Sequence, residues 1–178
     1  MKKVILTYGL ISGAIVGGLM LATMPLWKSG VVNFDNGEVL GYTTMVISLS
    51  LVFFGIKSCR DNQLNGFISF GQGVKVGLLI TLISSVLYAI AWEVSFHVFV
   101  PDFTEKMSQY YLEKMKTEAT NDAEVKEAVE KMNMYKEWYK NPLIRFAMTM
   151  IEIFPVGLVI TLLSAALLRK KQFLPAQS

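Results

Sequence analysis

Apolar and polar positions alternate along this chain in long blocks. Four apolar runs stand out: Val4 to Trp27, Val39 to Ile56, Val74 to about Val100, and Leu143 to Leu168. Each is near or above the ~20 residues a helix needs to cross a hydrocarbon layer. The first run follows Lys2 and Lys3, as a signal peptide would, but it is long for such a segment and no A-x-A cleavage site follows it. It is therefore expected to remain as a span. Met24-Pro25-Leu26-Trp27 predicts a helix end with an interfacial aromatic anchor. The polar stretch Lys28 to Glu38 predicts a short loop, with Asn36-Gly37 as its turn signal.

The second run is free of charge and gives way to a loop from Lys57 to Gly73. Phe67-Ile68-Ser69-Phe70 sits just before the third run, where it is expected to rest in the interface. Pro101 ends the third run. Asn141-Pro142 introduces the fourth, as an N-cap and first helical position. Arg169-Lys170-Lys171 stops it.

The segment Asp102 to Asn141 has a different rhythm. Phe103, Met107, Tyr110, Tyr111 and Met115 recur at helical spacing, and so do Val125, Ala128, Val129, Met132, Tyr135 and Tyr139. Thr120-Asn121-Asp122 separates the two stripes, and Glu124 follows Asn121 by three, as in a capping arrangement. Two amphipathic helices forming a hairpin outside the membrane are predicted, each with a face that needs cover.

Composition agrees with this layout. Of 178 residues, 53% are hydrophobic and 17% charged, and the charges crowd into the segments between runs. A single cysteine, Cys59, excludes an intramolecular disulfide and a Cys-rich metal site. The net charge of +3 sits beside apolar runs, which makes it a topology signal rather than a nucleic-acid footprint. With the N-terminus inside, the inner segments hold Lys2, Lys3, Lys57, Arg60, Lys75, Arg169, Lys170 and Lys171 against one acid, Asp61. The long segment between the third and fourth runs holds seven lysines against nine acids. Both termini are accordingly expected in the cytoplasm.

Several positions inside the spans are chemically distinctive. Gly9, Gly13 and Gly17 form two overlapping G-x-x-x-G units on one face of the first helix. Without Cβ atoms that face admits close approach by another helix, from the same chain or from another subunit. Glu93 and His97, four apart, share a face of the third helix, while Arg145 and Glu152 lie on the fourth. Antiparallel packing of these helices is expected to put the two glutamates at one depth and His97 near Arg145. Intramembrane ionisable groups are costly and usually pair or line a wet cavity. Three uses compete: a structural network pinning the third helix to the fourth, a proton or small-solute site with His97 as relay, and a metal site formed by Glu93, His97 and Glu152. One histidine and no usable cysteine make the last a poor ligand set.

In the loop, Arg60 and Asp61 are expected to pair, and the glycines of Asn65-Gly66 and Gly71-Gln72-Gly73 to permit the turn back into the membrane. A phosphate-binding loop is not supported, since no G-x-x-x-x-G-K-[ST] is present. Lys57, Arg60 and Lys75 could also meet lipid headgroups. Met107, Met115 and Met132 fall on the hairpin stripes, where methionine is ordinary packing material, although with Met134 they also suggest copper-type thioether chemistry. Tyr110, Tyr111, Tyr135, Trp138 and Tyr139 suit an interface with headgroups or a partner protein. No G-x-S-x-G, H-E-x-x-H or C-x-x-C motif occurs.

One stretch carries a resemblance. Phe54-Gly55-Ile56-Lys57-Ser58-Cys59-Arg60-Asp61, then Asn65-Gly66-Phe67-Ile68-Ser69-Phe70-Gly71 and Gly77-Leu78, resembles DUF4199, an uncharacterised family of bacterial four-span membrane proteins found mostly in Bacteroidetes. Cys59 stands where an aromatic such as tyrosine would be usual. The resemblance implies a fold and a compartment, the inner membrane, and no chemistry. It also gives Arg60 and Asp61 more interest than a connector alone would.

The expected architecture is a single all-α membrane domain over residues 1–178, a four-helix bundle with an extracytoplasmic helical hairpin between the third and fourth spans. The expected role is that of a non-enzymatic accessory or scaffold subunit of an envelope complex, without cofactor or nucleic acid. Its partners would be the bilayer and either an envelope protein or further copies of itself. A small oligomeric carrier using Glu93, His97, Arg145 and Glu152 is the alternative. An enzyme acting on lipid-linked substrates ranks last.

Overall fold

A computed structural model describes residues 1–119, 121–169 and 174. Thr120, Lys170 and Lys171 of the sequence argument lie outside the described residues. Among the described residues there are seven helices: α1 (Lys2–Lys28), α2 (Gly37–Leu49), α3 (Leu51–Gln63), α4 (Phe70–Val98), α5 (Phe103–Glu118), α6 (Asp122–Lys140) and α7 (Pro142–Leu168). Four stretches are long and apolar enough to cross a membrane: α1, the combined α2–α3 from Gly37 to Gln63, α4 and α7. Their outward faces carry Leu6, Leu10, Ile15, Ile47, Phe54, Leu82, Ile90, Val159 and Leu163, all exposed. Such a continuous apolar belt is stable only against lipid.

Helix ends follow local chemistry. Ser69 accepts from the Gln72 amide at 3.2 Å while the Gln72 side chain accepts from the Ser69 amide at 3.0 Å, a capping box that starts α4. Asn121 caps α6 by accepting from the Glu124 amide at 3.0 Å, and Asn141 caps α7 by accepting from the Leu143 amide at 3.0 Å ahead of Pro142. α1 runs through Pro25 to Lys28, so the proline does not end it. Only one turn remains beyond Pro25, and the Ser29 amide donates to the Pro25 carbonyl at 3.0 Å. A proline that close to a C-terminus sacrifices one hydrogen bond and leaves the rest intact.

The loop after the second span is much shorter than Lys57 to Gly73. α3 continues through Lys57, Arg60 and Asp61 to Gln63, and α4 begins at Phe70. Of the glycines expected to turn the chain, Gly71 and Gly73 are helical instead, and Gly66 lies in the turn. The turn is made by Asn65 (φ 52°) and Gly66 (φ 80°), both left-handed, a region where glycine and asparagine meet little steric cost. The second span breaks at Ser50. Two residues earlier, the Ser48 carbonyl accepts from the Ser12 hydroxyl of α1 at 2.8 Å. A side chain inserted into the ladder is a common cause of such a bend.

α4 is the central element, packed along α1 on one side and α7 on the other. Both seams use small residues. A Cβ at Gly9, Gly13 or Gly17 would stand 2.8, 2.5 and 3.0 Å from Ile83, Leu87 and Ala91 of α4. On the other side Gly77 faces Thr161, and Gly157 faces Thr81. The Thr81 and Thr161 hydroxyls lie 3.4 Å apart between them. Close backbone approach through glycine, with hydroxyls bonded across, is how helices associate where no hydrophobic effect separates them from lipid.

Candidate functional site

The best-defined polar centre lies where α4, α6 and α7 meet. Arg145 is buried one turn into α7. Its Nε and Nη2 donate to the two oxygens of Glu93 at 2.8 and 2.6 Å, a bidentate pair. Its Nη1 donates to the backbone carbonyl of Tyr139 at 2.8 Å. The guanidinium also lies 4.1 Å from the Phe96 ring centre. One side chain thus fastens the third span, the fourth span and the end of the hairpin. Trp92 Nε1 donates to the Tyr139 hydroxyl at 2.7 Å and completes this latch.

His97 is peripheral. It is exposed, its Nδ1 sits 2.8 Å from the Glu93 backbone carbonyl, and the carboxylate is 3.8 Å away. Glu152 is not in the centre at all. It lines a separate cavity and has no hydrogen-bond or ion-pair partner among the described residues. The geometry of α7 explains this separation. The buried stripe Arg145, Thr149, Ile153, Gly157, Thr161 advances in fours, so the α4-facing line rotates by about 40° per step. Glu152, seven residues from Arg145, falls about 20° the other way and off that line. A metal site formed by Glu93, His97 and Glu152 therefore does not assemble in this arrangement.

The cavity has a volume of about 500 Å³. α1, α2, α4 and α7 form its walls, and the hairpin closes it from above. Met20, Met24, Tyr88, Trp92 and Met148 line it from the spans, and Met107, Tyr111, Tyr135 and Tyr139 from the hairpin. Among the described residues, Glu38 and Glu152 are its two charged residues, and no lysine, arginine or histidine borders it. The hairpin is held over it by Tyr111, which donates to Glu38 at 3.2 Å, and by Tyr110, which donates to Asp35. Phe34, Phe103, Trp27 and Tyr110 interlock at its rim, with Phe34 and Tyr110 stacked at 5.3 Å. Burial and then the Glu152 charge push the Tyr135 phenol up to about 12. Burial likewise raises Tyr139. Both rings are neutral donors at ordinary pH.

At the far end, Arg60 is buried. It bonds Asp61 at 2.6 Å, reaches the Leu168 carbonyl at 3.5 Å and donates to the Leu174 carbonyl. Lys57 bonds the same Asp61 at 2.6 Å. Arg60 is therefore more than half of a loop ion pair: it ties the second span to the end of the fourth. The hairpin methionines divide. Met107 is buried against the cavity, Met115 and Met132 are half-buried in a cleft between α5 and α6, and Met134 is exposed.

Arg145 and Glu93 stand out in the sequence as charges within apolar runs, whereas Tyr88, Trp92, Glu38 and the cavity do not. Aromatic residues within an apolar run carry no signal of their own, because rings pack as readily as they line a void. A family model described as a protein of unknown function, DUF4199, matches residues 7–170. No curated protein and no solved structure matches the chain.

Proposed function

The chain belongs to the DUF4199 family, whose function is unknown, and we propose that it is a non-enzymatic accessory or scaffold subunit of a bacterial inner-membrane complex. In this reading the termini are cytoplasmic and the hairpin stands on the outer side as a fixed docking element. The observation that supports it is the Arg145 latch. The strongest ionisable cluster of the chain is committed to holding the hairpin on the spans, through Glu93 and the Tyr139 carbonyl. Bidentate pairing commits the Glu93 carboxylate and the Arg145 guanidinium to each other, with His97 exposed at the edge of the pair. The outer face of α6 and the start of α7 presents Met134, Trp138 and Leu143, all exposed, beside the headgroup level.

Photo-crosslinkers placed at Met134 and Trp138 test this in native membranes. A discrete protein adduct of one mass from both positions is the expected result. Adducts with lipid alone would overturn it. Orientation is tested with a Cys59→Ser chain carrying a single cysteine at Asn121 or at Lys3. An impermeant maleimide should label the first in intact cells, and the second only after permeabilisation.

A second reading, a small carrier, is favoured by one observation: Glu152 faces a cavity rather than a partner. A single bundle of four spans is small for alternating access, so this reading requires an oligomer.

A further inference from the structure

We propose that the cavity beneath the hairpin is a binding site for a monovalent organic cation with an apolar body, such as a quaternary ammonium or a protonated hydrophobic amine. Four observations converge on that class. The first is charge. Glu38 and Glu152 border the cavity, and among the described residues no basic side chain does. Elsewhere in the spans the corresponding acid, Glu93, has its arginine. Two exposed carboxylates at the edge of an otherwise apolar lining, with no cation beside them, create a negative potential that favours a cation.

The second is the nature of the walls. Tyr88 and Trp92 of α4, Tyr42 of α2, and Tyr135 and Tyr139 of α6 all present rings to the space. The negative faces of aromatic rings attract cations, and cages of such rings are a recurrent solution for quaternary ammonium groups. The third is the soft remainder of the lining. Met20, Met24 and Met148 give an adaptable apolar surface suited to a hydrophobic body rather than to a bare ion. A hard divalent ion would want about six or more oxygen ligands. Among the described residues, no three His, Cys, Asp or Glu side chains come together. The fourth is size and access. A volume of about 500 Å³ is in the range of small-molecule sites. The cavity shares Glu38 and Tyr42 with a shallow groove on the outer face of α2, beside Val39, Thr43, Val46 and Ile47. An amphiphile lodged in the bilayer interface would meet that groove first.

Glu152 is the anchoring carboxylate, contributed by α7 to the same lining as the rings. Glu38 sits at the rim with Tyr111, where it draws the cation in and holds the hairpin down. The site is independent of the accessory role, and a failure of the crosslinking experiment does not bear on it.

The test uses the full chain carrying Trp138→Phe in nanodiscs of zwitterionic phosphatidylcholine, with the fluorescence of the remaining Trp27 and Trp92 as readout. Benzyltrimethylammonium is compared with neopentylbenzene, its neutral isostere of the same shape. The cation is expected to quench saturably and to bind at least about tenfold more tightly than the isostere. Glu152→Gln is expected to weaken the cation about tenfold and to leave the isostere unchanged. Equal affinity for the two probes would overturn the proposal and make the cavity a lodging for acyl chains. So would an unchanged cation affinity in Glu152→Gln, or the absence of saturable quenching. Should Glu152→Gln not fold, the ratio of the two probes on the Trp138→Phe chain decides alone.

Discussion

At the end of the bundle away from the hairpin, Gly73, Gly77 and Gly157 let α4 and α7 close until a Cβ would strike Ala165, Thr161 or Thr81. Beneath the hairpin, the same helices carry Tyr88, Trp92, Met148 and Glu152, and they border an open cavity. The first region is joined by contact and by hydroxyls, the second by a bidentate ion pair, ring stacking and a roof. The difference shows how one pair of helices can be rigid and receptive along its length. Small residues bring the backbones together and spend the whole interface on dispersion. Large residues splay them, and specific polar bonds must then hold the gap at a fixed width.

The comparison can be broken from either side. The largest effect is expected at the latch. Arg145→Gln leaves Glu93 without its cation and frees the Tyr139 carbonyl, and should lower stability by about 3 kcal/mol. Thermal unfolding in detergent measures this. The double variant Glu93→Gln with Arg145→Gln should recover about half of the loss, since no charge is then stranded. Next comes the tight seam. Gly157→Ala places a methyl 2.2 Å from the Thr81 Cγ2 and should cost about 1–3 kcal/mol. Thr81→Ala in the same chain should restore most of it, a result that an effect confined to α7 would not give.

A smaller effect is expected where α1 meets the bend of the second span. Ser12→Ala removes the bond to the Ser48 carbonyl and should cost about 0.6 kcal/mol, the scale of interhelical hydrogen bonds in membranes. Smallest of all is Glu152→Gln, which should leave stability unchanged or slightly raised, because it removes a charge that has no partner among the described residues. A loss as large as that of Arg145→Gln would erase the distinction between the latch and the cavity.

The glycine face of α1 was legible in the residue order, whereas the tight seam of α4 and α7 was not, since Gly73 reads as part of a turn and Gly157 stands alone in its run. G-x-x-x-G spacing has a direct geometric meaning, and Asn121 and Asn141-Pro142 carry their capping chemistry within three residues. The four apolar runs and the amphipathic stripes of α5 and α6 were equally plain. Less legible was the extent of α3 and α4. Lys57, Arg60 and Asp61 read as loop because charge breaks an apolar run, yet α3 continues through them, with Lys57 and Asp61 paired one turn apart. The Ser69–Gln72 capping box was there to be read and would have placed Gly71 and Gly73 inside α4. The pairing of Glu93 with Arg145 rather than of like depths depends on side-chain length and on the drift of the buried stripe around α7. Neither follows from counting turns along a single helix.

The position of α4 has a consequence for how the protein is made. It is the hub of the bundle, but it is the third span to leave the ribosome. Residues that meet across its seams are far apart in the chain, as with Ser84, which donates to the Gly9 carbonyl at 3.2 Å, and Thr81 beside Thr161. The first two spans therefore enter the bilayer before their main packing partner exists, and the glycine face of α1 waits in lipid until α4 is threaded in. A chain interrupted between α5 and α6 would deliver the hub with its first half. Its two fragments, expressed together, should reassemble, whereas an interruption before Phe70 separates α1 from the helix that stabilises it.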